Sequence, residues 1–255
     1  MSFLLFNSTP SSNTLFYIEG ESNSGGLASI SLADPADVGT QPSVKILNLN
    51  TLASLDTLQI GGTGSNNLLD HAGAQSYYGL SFGFELEIAR RAKTVPFYNG
   101  LVYVVKCGQG GSVISEWGTG GAYDTKSLNR TNAIKALLPN SYKTIILYSL
   151  GINDAEAGNN VATWKTAVKN RHAVLRTRWG SQTPIIMTQF QGMGPTVTAY
   201  NSFTIAIAEI CAETQYTFYA GAYGATLNTD KLHWNGANTG MKYVTGKLLD
   251  IAENL

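Results

Sequence analysis

Charge is scarce in this sequence. Asp, Glu, Lys and Arg make up 13% of its 255 residues, 17 acidic against 17 basic, so the formal net charge is zero. Nothing in that balance points to a polyanion partner, and no basic stripe marks a nucleic-acid surface. Only two cysteines are present, Cys107 and Cys211. They exclude a disulfide framework, and in a strand end and a helix they read as two separate buried thiols rather than a bridge. No apolar run approaches the ~20 residues of a membrane span. The start, Met1 to Phe6, lacks the positive segment and the apolar length of a signal peptide. No His/Cys/Asp cluster has metal-ligand spacing, and no P-loop or dinucleotide fingerprint occurs, so neither metal nor cofactor is expected. Histidine is rare too, with three in the whole chain.

What is present is a series of apolar runs, each stopped by small polar residues. The length suits one α/β domain over residues 1–255. Leu15-Phe16-Tyr17-Ile18 reads as a buried strand that ends in Glu19-Gly20-Glu21-Ser22-Asn23. Residues 24–75 read as a loop-rich excursion over the sheet edge, with Val44–Leu49 its only strand-like piece. Ser81–Lys93 reads as an amphipathic helix with Phe82, Leu86 and Ala89 on one face. Further strands are expected at Leu101–Val105, Thr144–Tyr148, Pro184–Gln189 and Tyr216–Tyr219. Helices are expected at Thr125–Leu138, from an Asn160 N-cap to Trp179, at Thr196–Glu213 and at Met241–Glu253. Strands alternating with helices imply a parallel sheet covered on both faces. The expected architecture is a three-layer α/β/α sandwich, flavodoxin-like, with about five strands.

In that architecture the loops after successive strands meet at the carboxyl edge of the sheet. One carries Ser22, the next Gly110-Gly111-Ser112, the third Gly151-Ile152-Asn153-Asp154. The loop before the last helix carries Asp230-Lys231-Leu232-His233. Ser22 alone reads equally as a helix N-cap or turn residue. Together, however, these loops supply a hydroxyl, an imidazole, a carboxylate and amide donors, the types that nucleophilic acyl transfer requires. His233 is the expected base, because Asp230 three residues earlier can meet its Nδ1 and leave Nε2 for Ser22. The Ser22 amide, the Gly111 amide and the Asn153 side chain are the expected oxyanion donors. Glycine at 111 would let backbone approach the substrate without a Cβ in the way. His172, mid-helix among charges, reads as a solvated residue. His71 reads as a ligand contact or a turn cap. Trp117 and Trp234 read either as a platform for a sugar's C–H face or as loop packing.

Gly20-Glu21-Ser22-Asn23, Gly111, Gly151-Ile152-Asn153-Asp154 and Asp230-Lys231-Leu232-His233 resemble the four blocks of the SGNH (GDSL-like) hydrolases. They stand in that family's order and span nearly the whole chain. Gly110–Trp117, with Gly-x-Ser-Asn before it, most resembles the sialate O-acetylesterase-like branch. The resemblance implies Ser22 as nucleophile, Asp230 and His233 completing a triad, and Ser22, Gly111 and Asn153 forming the oxyanion hole. It also implies a cofactor-free esterase that removes acetyl groups from a sugar or polysaccharide. The sequence departs from the pattern at Glu21, where Asp or Gln is usual, and at Gly151–Asp154, where that branch has an acidic Gly-Glu-Ser form. Two other functions fit the residues: a non-catalytic carbohydrate-binding or adhesion module, and an acyltransferase on the same triad. The Ser/Thr/Asn/Gly-rich composition favours an extracellular or surface setting, such as a phage-tail assembly, with no leader visible in this chain.

Overall fold

The computed structural model describes residues 13–60, 81–95, 97–98, 100–138, 141–190 and 197–255. The central strand is β1 (Thr14–Gly20), and every one of its residues is buried. Its side chains alternate between two cores: Phe16 and Ile18 enter one, Leu15 and Tyr17 the other. A strand apolar on both faces must be covered on both faces. After the short helix α1 (Ser22–Gly25) and the strand β2 (Ala28–Ser29) come β3 (Gly39–Leu47), β4 (Leu55–Ile60) and β5 (Ser81–Phe82). The chain continues through α2 (Glu85–Thr94), β6 (Val102–Gly108), α3 (Ala122–Leu137), β7 (Lys143–Ser149), α4 (Ile152–Glu156) and α5 (Val161–Trp179). It ends with β8 (Ile185–Thr188), α6 (Val197–Glu213), β9 (Thr217–Ala220) and α7 (Met241–Ala252).

The main sheet has seven strands in the order β4-β3-β6-β1-β7-β8-β9. All neighbours are parallel except β3 and β4. Residues from α2 and α7 pack in the core with Phe16, and residues from α3, α5 and α6 in the core with Tyr17. The three-layer sandwich is as expected, but two strands more than five are present. They come from the stretch read as a loop-rich excursion: β3 overlaps its one strand-like piece, Val44–Leu49, and β4 was not expected. A second, two-stranded sheet pairs Ala28 with Phe82 and Ser29 with Ser81. Among the described residues no helix is long and apolar enough to cross a membrane. Cys107 and Cys211 are both thiols, with no disulfide between them.

Two buried polar features of α5 were not anticipated. Trp164, Val168, Arg171, His172 and Leu175 form its buried stripe. Arg171 donates two hydrogen bonds to Glu19 of β1, Nε to Oε1 at 2.7 Å and Nη2 to Oε2 at 2.8 Å, and its Nη1 donates to Asp124 Oδ1 at 2.5 Å. A buried guanidinium paired this way avoids the cost of an isolated charge. His172 corrects the solvated reading, because it is fully buried, with its ring edge-on to Tyr148 at 4.9 Å. Burial, with Arg176 and Arg171 nearby, pushes its pKa from 6.5 down to about 3. The folded protein therefore holds His172 neutral, while the unfolded chain takes up a proton below about pH 6.5. Stability from this group is complete above pH 6.5 and declines as pH falls towards 3, by ~1.4 kcal/mol per unit. Urea unfolding should thus show wild type losing about 2 kcal/mol more than His172→Phe between pH 6.5 and 5. Equal losses in the two proteins would contradict the assignment.

Candidate active site

The site is built at the carboxyl edge, where β1, β6 and β7 end side by side. Gly20, at φ +145°, closes β1 against β7, and a Cβ there would sit 1.7 Å from the Ser149 carbonyl oxygen. The turn therefore needs glycine, and it delivers Ser22 to the first position of α1. Ser22 is 5% exposed, and its Oγ lies 2.6 Å from His233 Nε2. His233 Nδ1 lies 2.8 Å from Asp230 Oδ2. The three side chains predicted to meet do meet, in that order, across 211 residues of sequence.

Asp230 has a second task. Its Oδ1 accepts hydrogen bonds from the Leu232 amide at 2.9 Å and the His233 amide at 3.0 Å, which folds the loop back on itself. Lys231 between them takes φ +60°, a left-handed conformation rare for a side-chain-bearing residue. Partial burial pushes the Asp230 carboxyl up, but the hydrogen bonds from His233 and the two amides outweigh it. The carboxyl is held below its ordinary range. The loop is tied to the serine turn as well. The Trp234 amide donates to Asn23 Oδ1 at 3.2 Å, and Asn228 Nδ2 donates to the Leu27 carbonyl at 3.3 Å.

Gly111 and Asn153 both line the same small cavity, of about 150 Å³, together with Ser22, Leu27, Ile152 and His233. Gly111 has φ +73°, and no protein atom lies within 4 Å of where its Cβ would be. Its left-handed backbone, rather than crowding by the protein, is what favours glycine there. Asn153 Nδ2 donates to the Ser112 carbonyl at 3.1 Å. Asp154 faces away, accepting from the Ile114 amide at 2.9 Å and so joining the Gly111 loop to α4.

The tryptophans are packing residues, which corrects the platform reading. Trp117 is fully buried, with Nε1 donating to Ser112 Oγ at 3.0 Å and the Arg171 guanidinium over its ring at 5.8 Å. Trp234 is fully buried in the core beside Phe84, with ring centroids 6.1 Å apart. His71 lies outside the described residues. Among those residues no group of three or more His, Cys, Asp or Glu could hold a metal ion. A wider groove of about 830 Å³ lies at the opposite end of the strands, between Lys143, Pro184 and Tyr216. Among the described residues that line it there is no histidine, cysteine or carboxylate side chain, and open α/β sheets bind ligands at the other edge.

A family model described as carbohydrate esterase, sialic acid-specific acetylesterase, matches residues 12–246. This chain belongs to that family. It is accordingly a carboxylic ester hydrolase, a carbohydrate O-acetylesterase. No curated protein sequence matches it significantly. Among solved structures, this esterase superposes on a protein from Arabidopsis thaliana with a TM-score of 0.74 at 15% identity, covering 96% of this chain and 99% of that one. It resembles NanS with a TM-score of 0.70 at 14% identity, over 97% and 100% of the two chains. A carbohydrate acetylesterase from Xanthomonas citri gives a TM-score of 0.61 at 16% identity, over 92% of this chain but 55% of that one. At such identities the likeness is one of fold. The structure gives contacts to two residues of the first motif beside Ser22 that had no assigned role: Glu21, which accepts from the amides of Gly151 and Ile152, and Asn23, whose side chain accepts from the Trp234 amide.

Proposed function

We propose that the esterase removes O-acetyl groups from an acetylated sugar or polysaccharide through a Ser22–His233–Asp230 triad. The observation that carries this reading is the 2.6 Å separation of Ser22 Oγ from His233 Nε2, with Asp230 2.8 Å from Nδ1. With Nδ1 protonated towards Asp230, Nε2 has a lone pair for the serine proton. Ser22 Oγ attacks the acetyl carbonyl carbon as its proton passes to Nε2. The oxyanion that forms is met by the amides of Ser22 and Gly111 and by Asn153 Nδ2. Collapse breaks the ester C–O bond, and His233 returns the proton to the departing sugar hydroxyl. A water molecule then attacks the acetyl-serine, giving its proton to His233, and acetate leaves as Ser22 regains a proton.

The small cavity suits an acetyl group better than a long acyl chain. A binding or adhesion module has no use for a serine and histidine at hydrogen-bond distance, so hydrolysis is the favoured reading. The direct experiment incubates the protein with O-acetylated sugars and with p-nitrophenyl acetate, and measures released acetate with and without a sugar acceptor. Acetate release unaffected by the acceptor is the expected result. Glycan binding without acetate release would overturn the reading in favour of a binding module, and acetyl transfer outrunning hydrolysis would make it a transferase.

Asn153→Ala tests the oxyanion assignment separately. Loss of one such donor costs about 10²–10³ in rate. The loss should fall on kcat, with KM within a few-fold, because the interaction strengthens only as charge develops. A variant with unchanged kcat would remove Asn153 from the hole.

A further inference from the structure

Glu21 is fully buried and immediately precedes Ser22. Its Oε2 accepts from the Gly151 amide at 3.1 Å and the Ile152 amide at 3.0 Å, and Asn153 Nδ2 stands 3.5 Å away. Its backbone is fixed just as firmly. The amide donates to the Ser149 carbonyl of β7 at 2.8 Å, and the carbonyl accepts from Ser24 Oγ at 2.6 Å and the Gly25 amide at 3.0 Å. One residue thus joins the end of β7, the turn that presents Ser22 and the first turn of α4, which presents Asn153. The reaction steps above do not use it.

We propose that Glu21 is a positioning residue, an uncharged buried acceptor that sets Asn153 against Ser22 and so acts on acyl transfer through Asn153. The inference rests on the acyl-transfer reading of the same site. Two observations favour the uncharged form. The side chain is fully buried with no cation among the groups acting on it, and a buried carboxylate without a countercharge would be expensive. A fixed negative charge beside Asn153 would also oppose the oxyanion that Asn153 is there to meet. The titratable groups around it are Asp154 on α4 and Tyr148 on β7, with His233 reaching Ser22 from the last loop. Burial and the nearby Asp154 raise the Glu21 carboxyl, the Gly151 and Ile152 amides lower it, and the balance leaves it at about 8. A group raised in this way is neutral at pH 7 and becomes charged as pH rises past 8.

The test compares wild type, Glu21→Ala, Glu21→Gln, Asn153→Ala and the Glu21→Ala/Asn153→Ala double variant on p-nitrophenyl acetate. Rates are expressed per site labelled by a fluorophosphonate, so that misfolded protein does not count. Glu21→Ala should lose about 10–100-fold in kcat, the range a misplaced catalytic group costs, with KM nearly unchanged. In the Asn153→Ala background the same change should add little. Glu21→Gln keeps an acceptor for the two amides. It should retain at least about a third of wild-type kcat at pH 7 and lack the decline that wild type shows above pH 8. The inference is overturned if Glu21→Ala keeps wild-type kcat per labelled site, if its effect multiplies with that of Asn153→Ala, or if Glu21→Gln keeps the alkaline decline. Should the alanine variants fail to fold, the Glu21→Gln pH profile decides alone. Failure of the underlying acyl-transfer reading looks different: wild type itself would neither be labelled nor release acetate.

Discussion

Ser22→Ala should reduce acetyl-ester turnover by about 10⁴-fold or more while leaving the fold intact, and His233→Ala should do nearly the same. Ser22 is almost buried, but its Oγ has one principal partner, His233 Nε2 at 2.6 Å. Its carbonyl still closes α1 through the Gly26 amide at 3.0 Å when the hydroxyl is gone. Removing the oxygen therefore removes chemistry and little packing. His233 likewise lies outside both cores, and its backbone, not its ring, accepts from Asn228 at 2.7 Å. Because nucleophile and base act as a unit, the double variant should be no slower than either single one. Turnover assays with circular dichroism as a folding control check this. Either single variant within tenfold of wild type would be incompatible with the triad.

Asp230→Asn should cost about 10³–10⁴ in kcat, and for a different reason. Asparagine can keep its oxygen towards the Leu232 and His233 amides, as Asp230 Oδ1 does at 2.9 and 3.0 Å. The loop should therefore hold its shape. Its NH₂ would then face His233 Nδ1 where Oδ2 now sits at 2.8 Å. Two donors cannot share that contact, so the imidazole must take the tautomer with its proton on Nε2. That tautomer points a hydrogen at Ser22 and has no lone pair to receive another. The negative charge that would stabilise the imidazolium is lost as well. Asp230→Ala should remove the loop anchor too, and so lower the melting temperature where Asp230→Asn does not. Turnover within tenfold of wild type in Asp230→Asn would show that His233 is oriented by something else.

Much of this arrangement is legible in the sequence, because its signals are local. Leu15–Ile18 is apolar at every position, as a strand with a core on each side must be. Asp230 and His233 sit three apart because one loop must bring both to one point. The edge of the sheet was legible only as the strand-like piece Val44–Leu49, which overlaps the end of β3. Gly39–Leu47 contains Gln41, Pro42 and Ser43, and its pairing with β4 slips between Gln41 and Lys45. Proline and a bulge are tolerated at a sheet margin but erase the alternation by which a strand is recognised. Leu55–Ile60 is half-exposed on the outermost strand, so burial imposed little pattern on it.

His172 was misread for another reason. Its neighbours Lys169, Asn170 and Arg171 suggest solvent, yet 164, 168, 171, 172 and 175 are spaced as one helical face. Period outweighed polarity, and Arg171 could join that face because Glu19 waited on β1. For Trp117 and Trp234 the sequence left a sugar platform and loop packing both open, and their full burial decides for packing. Both rings are consumed in holding the loops that carry Gly111 and His233. Glu21 stands out in the sequence only as a departure from the family pattern; its role was not legible, since its partners are backbone amides about 130 residues away.

The most direct measurement is intact-mass and peptide mapping of the protein after reaction with a fluorophosphonate, alongside residual esterase activity. The account predicts one adduct per chain, on the peptide carrying Ser22, with activity lost in proportion to labelling. It also predicts labelling slowed at least 100-fold in His233→Ala, which lacks the base that activates the serine. Complete inactivation with the adduct on another residue, or full activity with Ser22 modified, would contradict it.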